Sequence, residues 1–379
     1  MKFNLSSICN YRNEKVNVET LNNRTYISTE NMLPNKRGVV KATSLPDILQ
    51  TQKFKKGDVL VSNIRPYFKK IWKAEFDGGC SNDVLFFYAN DNIDANFLYY
   101  ILSNDSFFNY SMTTSKGTKM PRGDKNSIMK YMVPDFGIET QRKIASILCS
   151  IDEKIRLNNK INNNLEQQAQ AIFSNEFLTL ETPTDGWKQA SLIDIADYLN
   201  GLAMQKYRPS ADETGIPVLK IKELRQGCCD DNSELCSPNI KSEYIIHDGD
   251  VIFSWSGSLL VDFWCGGICG LNQHLFKVTS NKYDKWFYYA WTKHHLDRFI
   301  SVAADKATTM GHIKRDELSK AEVLIPNEAD YKRIGALLQP IYDLIIANRI
   351  ENKKLAEARD TLLPKLMSGE FDISEVDYE

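Results

Sequence analysis

The chain has eight cysteines but no pair spaced C-x-x-C. Zinc ribbons need close thiolate pairs to build a tetrahedral site, so that class is excluded. Cys228, Cys229 and Cys236 could bind a metal with a nearby His, but buried or loop thiols are the plainer reading, and no metal is expected. Histidine is scarce, and of the five only His294 and His295 adjoin. Neighbours on a helix point in different directions and make poor joint ligands. No run of about 18 apolar residues occurs, and the opening MKFNLSSICNYRNEK has no apolar signal core. A membrane helix and a secreted protein are therefore not expected; the chain should be cytoplasmic and reduced.

Catalytic motifs are missing as well. There is no G-x-x-x-x-G-K-[ST] loop to cradle phosphates and no G-x-G-x-x-G cofactor turn. There is no N-P-P-[FY] motif of the kind that holds an adenine in amino-methyltransferases. Ser254-Trp-Ser-Gly-Ser258 looks like a nucleophile elbow but lacks the flanking glycine pair. Pro134-Asp135 followed by Glu139-Thr-Gln141 places Gln where a nuclease metal site needs Lys. No catalytic residue is assigned, and the chain is expected not to be an enzyme by itself.

A charge excess is lacking too: the formal net charge is −2. The distribution is uneven. Residues 1–135 hold 19 Lys+Arg against 13 Asp+Glu, and residues 180–325 hold 16 against 20. The first half can carry a basic face, while the second gains no bulk support for binding an anionic partner.

What is present is a text written twice. Gly57-Asp58-Val59 recurs as Gly249-Asp250-Val251, each opening an apolar strand-like run. Ser62 matches Ser254, Asn82 matches Asn272, and Tyr99-Tyr100 matches Tyr288-Tyr289. Lys116-Gly-Thr-Lys-Met120 matches Lys306-Ala-Thr-Thr-Met310, and Pro134 matches Pro326. The order is kept and the offset stays between 189 and 192. A period this long is a domain duplication, not a solenoid. Each copy reads as short β-rich runs, then a short helix (around Asn96–Phe107 and Lys285–Ser301), a polar loop, a last strand and a long helix.

The first long helix should run from about Glu139 to Asn175. Its seam positions are Ile144, Leu148, Ile151, Ile155, Asn158, Asn162, Leu165, Ala169 and Ile172. The second copy gives Ile334, Leu338, Ile341, Ile345, Asn348, Asn352, Leu355, Arg359 and Leu362. The alternation of four and three marks a coiled coil. Asn158, Asn162, Asn348 and Asn352 are expected to set the register, because a slipped pairing leaves a buried amide unpaired. They could instead face solvent, with each helix packing on its own domain. Pairing within one chain should be antiparallel, since a whole globular domain joins the helices. A helix of about 37 residues is on the order of 55 Å long, the rise of about 16 base pairs, which is compatible with a spacer between two DNA readers.

The helix texts QRKIASILCSIDEKIRLNNKINNN and YKRIGALLQPIYDLIIANRIENKKL, with the LLPKLMSGE ending, resemble the conserved regions of type I restriction–modification specificity subunits. The resemblance covers almost the whole chain. It implies an α+β fold: two duplicated, mostly-β target recognition domains separated by two long antiparallel coiled-coil helices, with pseudo-two-fold symmetry. The implied domains are 1–137, a helical spacer 138–178, 179–327, and a distal helix and tail 328–379. Each recognition domain would read one half of a split, asymmetric site on double-stranded DNA. The helices would fix the gap and dock two methyltransferase subunits, with two motor–nuclease subunits added for restriction. No cofactor is expected on this chain; the partners would use S-adenosylmethionine, ATP and Mg²⁺. The short lead-in before Tyr26 leaves the first domain's N-terminal strand open.

Base edges are read by Arg, Lys, Asn, Gln, Ser and Thr, while Lys and Arg on phosphates set position. In the first domain these are Asn63, Arg65, Tyr67, Lys69 and Lys70, and the loop residues Lys116, Thr118, Lys119, Arg122 and Lys125. In the second they are Ser256, Ser258, Gln273 and His274, then Lys306, Thr308, Thr309, His312, Lys314 and Arg315, with Lys206 and Arg208 on phosphate. Ordinary solvated charge is the competing reading of each. The recurring tyrosines fit core packing better than base stacking. Two other readings stay open: a recognition subunit of another restriction or methyltransferase-only system, and a coiled-coil scaffold that binds protein.

Overall fold

The computed structural model describes residues 2–179, 185–305, 313, 315–371 and 373. The chain divides into two compact units, Met1–Glu153 with Ala356–Glu379, and Lys154–Leu355. Each unit combines one β-rich domain with a part of each long helix. The division falls inside the helices because each helix buries residues in a domain core. Ile144 and Leu148 join Phe97 and Leu102 in the first unit; Ile334 and Leu338 join Trp286 and Phe287 in the second.

The first unit has two four-stranded sheets. One is antiparallel in the order Cys9–Tyr11, Val84–Ala89, Val59–Ser62, Ile71–Lys73. The other runs Glu14–Asn17, Gln50–Phe54, Gly78–Cys80, Tyr26–Ile27, with the last pair parallel. Lys2–Asn4 pairs with Met132–Pro134, so the strand left open by the short lead-in is present.

The second unit repeats this plan. Its antiparallel sheet is Asp197–Asn200, Leu275–Thr279, Val251–Ser254, Leu260–Phe263. Its other sheet is Leu235–Cys236, Ile216–Leu219, Cys269–Leu271, Ile245–Ile246. Here the parallel pair is Ile216–Leu219 with Cys269–Leu271, matching Tyr26–Ile27 with Gly78–Cys80. The edges differ: the first unit adds Glu14–Asn17 beside Gln50–Phe54, and the second adds Leu235–Cys236 beside the parallel strand. Lys188–Ser191 pairs with Glu322–Ile325 as Lys2–Asn4 does with Met132–Pro134.

The repeated motifs perform the same structural tasks in both copies. Gly57 and Gly249 have φ of 93° and 86°. Gly57 N–H donates to Ala74 O at 2.8 Å, and Gly249 N–H donates to Trp264 O at 2.7 Å. The following aspartates accept from the turn backbone, Asp58 from Lys55 N–H and Asp250 from His247 N–H. The G-D-V text is thus a turn device, in which only glycine adopts the positive φ without strain. An alanine Cβ at Gly57 would meet nothing within 4 Å, so its cost is conformational alone. Gly57→Ala is expected to lower stability by about 1–2 kcal/mol in urea denaturation.

Each short helix of the sequence reading is two helices. They are Ala95–Ser103 and Asp105–Thr113 in the first unit, and Lys285–His294 and Leu296–Asp305 in the second. Asn104 breaks the first pair, because its side chain accepts from Ser106 N–H and caps the next helix. Asp94 and Asp284 stand at the two leading N-caps, and their backbone N–H groups donate to Gln141 Oε1 and Tyr331 OH. These caps set an offset of 190, aligning Tyr99 with Tyr289, one residue from the sequence pairing. Tyr100, Tyr288 and Tyr289 are buried core residues.

The long helices span Ile138–Phe173 and Glu328–Ser368. Within the second unit, Asn158 Nδ2 donates to Asn352 Oδ1 at 2.9 Å and Asn348 Nδ2 to Asn162 Oδ1 at 2.8 Å. The rising and falling numbers make the pairing antiparallel, with the four amides facing the partner helix. Asn352 Nδ2 also reaches Asn159 Oδ1, and Asn162 Nδ2 donates to Ile345 O. At the far ends the seam slips by one: Phe173, Leu363 and Leu366 are buried, while Ile172 and Leu362 are only partly so. Among the described residues no helix is long and apolar enough to cross a membrane.

Candidate nucleic-acid interface

Strand Val59–Ser62 ends in a turn that carries the first cluster of candidate residues. Ser62 Oγ donates to Ile64 O at 3.1 Å. Arg65 and Lys69 flank the short turn Pro66–Phe68 with φ of 51° and 49°. A non-glycine residue in that region costs about 1–2 kcal/mol. Two further loops are stitched to this turn. Asn63 N–H donates to Asp83 O, Arg65 N–H to Pro121 O, and Gly123 N–H to Asn63 O. The two first-domain clusters named from sequence therefore share one edge of the first unit. Asn82 and Gln52 adjoin it, with Gln52 Nε2 donating to Asn82 Oδ1. A cleft of about 390 Å³ there is lined by Tyr11, Arg12, Gln52, Asn82 and Lys125 among others.

Three of the seven candidate cations of this edge, Lys69, Lys116 and Arg122, hold carboxylates. Lys116 pairs with Asp124 at 2.8 Å and Arg122 with Asp83 at 3.0 Å. The Lys116 ammonium, followed by the Ser127 amide, holds the Asp124 carboxyl down at about 2. Lys69 shares Asp105 with Lys36. Burial works against Asp105 ionising, but the two ammonium groups bring its carboxyl below the usual value. Lys70 donates to Thr29 O, and burial lowers its ammonium from the ordinary lysine value. Tyr67, Thr118, Lys119 and Lys125 are exposed, and Lys125 Nζ stands 5.9 Å over the Tyr11 ring. Asn63 Oδ1 and Arg65 Nε are buried without a hydrogen-bond partner.

The second unit builds the matching edge. Ser254 Oγ donates to Ser256 O, as Ser62 does to Ile64 O. Ile313 N–H donates to Trp255 O, the counterpart of Gly123 to Asn63. Ser256 is buried, 5% exposed, and its backbone carbonyl accepts the turn bond from Ser254. Ser258 Oγ accepts from Arg225, an exposed cation that sequence reasoning missed because it comes from a helix 33 residues away. Trp255, also missed, donates to Asn200 Oδ1 and lies 6.0 Å from His274. Gln273 Nε2 stands 3.4 Å from His274 Nε2, while His274 Nδ1 is buried without a partner. Arg208 shares Glu234 with Lys220, and Lys206 is exposed. Arg315 is exposed at the start of helix Arg315–Ser319, whereas Lys306, Thr308, Thr309, His312 and Lys314 lie outside the described residues. Burial depresses His295 to about 4, and its Nε2 meets Glu322 O, so it is a structural group. Among the described residues no three His, Cys, Asp or Glu side chains stand together to hold a metal.

Two β-rich units with one stitched polar edge each define a duplicated recognition fold. The chain belongs to the type I restriction modification DNA specificity domain family, whose model matches residues 1–167 and again 184–358. It is similar to the type I restriction enzyme MjaIX specificity subunit of Methanocaldococcus jannaschii, 25% identical over 76% of this chain and 71% of that one. The HindI specificity subunit of Haemophilus influenzae is 22% identical over 98% of this chain and 99% of its own. The crystal structure of a type I restriction–modification S subunit from M. genitalium shares the fold, with a TM-score of 0.56 at 15% identity over 97% and 96% of the two chains. The chain is a specificity subunit, the non-catalytic member of a type I system.

Proposed function

We propose that this chain reads a bipartite, asymmetric site on double-stranded DNA, one half per β-rich domain, and scaffolds the catalytic subunits. The observation that carries this reading is the repeated stitch, Gly123 to Asn63 and Ile313 to Trp255, which gives each unit the same polar edge. Duplicated edges carrying different side chains suit a site with two unlike halves. Phosphate contacts position the edge and base contacts select sequence. In the second unit Leu157, Ile161, Leu337 and Leu344 are exposed on the paired helices at 42–46%. Antiparallel pairing puts these positions, each one residue before a seam residue, on the same side of the pair. That apolar stripe supports docking of two methyltransferase subunits, with two motor–nuclease subunits joining them. The chemistry then lies in the partners: adenine N6 methylation with S-adenosylmethionine on a flipped base, and cleavage driven by ATP with Mg²⁺. The protein-scaffold reading draws on the acidic residues 180–325, with 16 Lys+Arg against 20 Asp+Glu.

Binding of the chain–methyltransferase complex to duplex DNA across a salt series tests the reading. Affinity is expected to fall linearly on a log–log plot, and Lys119→Ala, which removes an exposed cation, is expected to reduce the slope by about one. Absence of DNA binding at low salt would favour the scaffold.

A further inference from the structure

Arg65 occupies a backbone position that the second copy gives to glycine. Three residues beyond Ser62 stands Arg65 at φ 51°; three beyond Ser254 stands Gly257 at φ 67°. The register between the copies is secured on both sides of the turn. Ser62 and Ser254 donate to Ile64 O and Ser256 O respectively. Asn63 O and Trp255 O accept from Gly123 and Ile313. The turn therefore demands a left-handed residue, which glycine supplies without strain and arginine does not.

Fold stability does not explain the arginine. Among the described residues its guanidinium makes no ion pair and no hydrogen bond, and Nε is buried without a partner. Its neighbours differ: Lys69, Lys116 and Arg122 each hold a carboxylate. An aspartate close to a cation already neutralises it, so those residues approach DNA with their charge partly spent. Arg65 keeps an unpaired fork on a main chain fixed by Arg65 N–H donating to Pro121 O at 2.8 Å. Strain retained at a polar edge, with an unused donor set, points to function. A free guanidinium fork matches the O6 and N7 acceptors of guanine in the major groove.

We propose that Arg65 reads a guanine in the half-site recognised by the first unit, while Lys69, Lys116 and Arg122 serve position. The inference rests on the DNA-reading function proposed above. In the second unit the matched position has no side chain, and Arg225, on Ser258 Oγ, brings a guanidinium to the turn from another element. The two halves would thus be read by different geometry.

The test is to express the chain as Arg65→Gly and as Arg65→Lys with its methyltransferase, map methylated sites genome-wide, and record melting temperatures. Arg65→Gly is expected to melt at or above the parent temperature. Both variants are expected to relax one guanine position of one half-site, by roughly 5- to 150-fold in preference over other bases, leaving the other half unchanged. Arg65→Gly melting well below the parent would overturn the claim that the side chain is dispensable to the fold. An unchanged motif would show that Arg65 reads no base. Uniform weakening at every sequence, with a smaller salt slope, would make it a phosphate contact and sink the proposal as well. If the parent chain itself directs no split motif, the underlying DNA-reading function fails instead.

Discussion

Leu338→Ala is expected to destabilise the second unit by about 3–4 kcal/mol, a drop of roughly 10 °C in melting temperature. Leu338 is 0% exposed and shares a core cluster with Phe173, Trp286, Tyr342 and Ile345. Large aromatic neighbours collapse poorly into the space a leucine leaves, so the cavity adds to the lost transfer energy. Leu148, at the matched position in the first unit, is also 0% exposed and should behave alike. Leu337 is one residue away and 46% exposed. Its alanine variant should change stability by no more than about 0.5 kcal/mol. Equal losses at 337 and 338 would mean that the helix does not bury the face described.

Asn162→Leu is expected to cost about 1–3 kcal/mol, and adding Asn348→Leu should restore most of it. Asn162 Oδ1 accepts from Asn348 Nδ2, and the two residues are 5% and 9% exposed. Removing one partner strands a buried amide; removing both leaves an apolar pair. The double-mutant cycle should therefore show a coupling of about 1–3 kcal/mol, readable by urea titration. Additive losses would show that the two amides act independently. The recovered double variant should also lose strictness of register, since only the Asn158–Asn352 pair then penalises a slipped pairing.

The duplication was legible because each repeated motif performs a task that permits few residues. Gly57 and Gly249 supply positive φ, and Asp58 and Asp250 close the same turns. The helix seam was legible from its spacing, and the four seam asparagines meet across it in the second unit. Its slip to Phe173, Leu363 and Leu366 was hidden, because adjacent apolar residues at 172–173 and 362–363 fit the period about equally well. The breaks at Asn104 and His295 fall in short polar stretches, 103–106 and 293–295, that a continuous helix would also tolerate, and only the Asn104 cap on Ser106 N–H shows which way the first resolves.

The edge itself was legible only in part. Basic and polar residues around 63–70 and 116–125 could be nominated, but their ion pairing could not. Asp105 lies 36 residues from Lys69, and Asp83 lies still further along the chain from Arg122. The Ser62–Ser254 pairing aligns Arg65 with Gly257 in the sequence, but the left-handed backbone that both adopt appears only in the turns themselves. Ser256 was nominated by its hydroxyl alone, and its burial was not legible in the sequence.

The most direct test of the central claim is a long-read map of N6-methyladenine in cells that co-express this chain with its methyltransferase, compared with cells lacking the chain. One split motif, methylated in both halves, is expected, and it should disappear with the chain. A soluble complex that leaves no motif behind would contradict it and transfer the chain to the scaffold class.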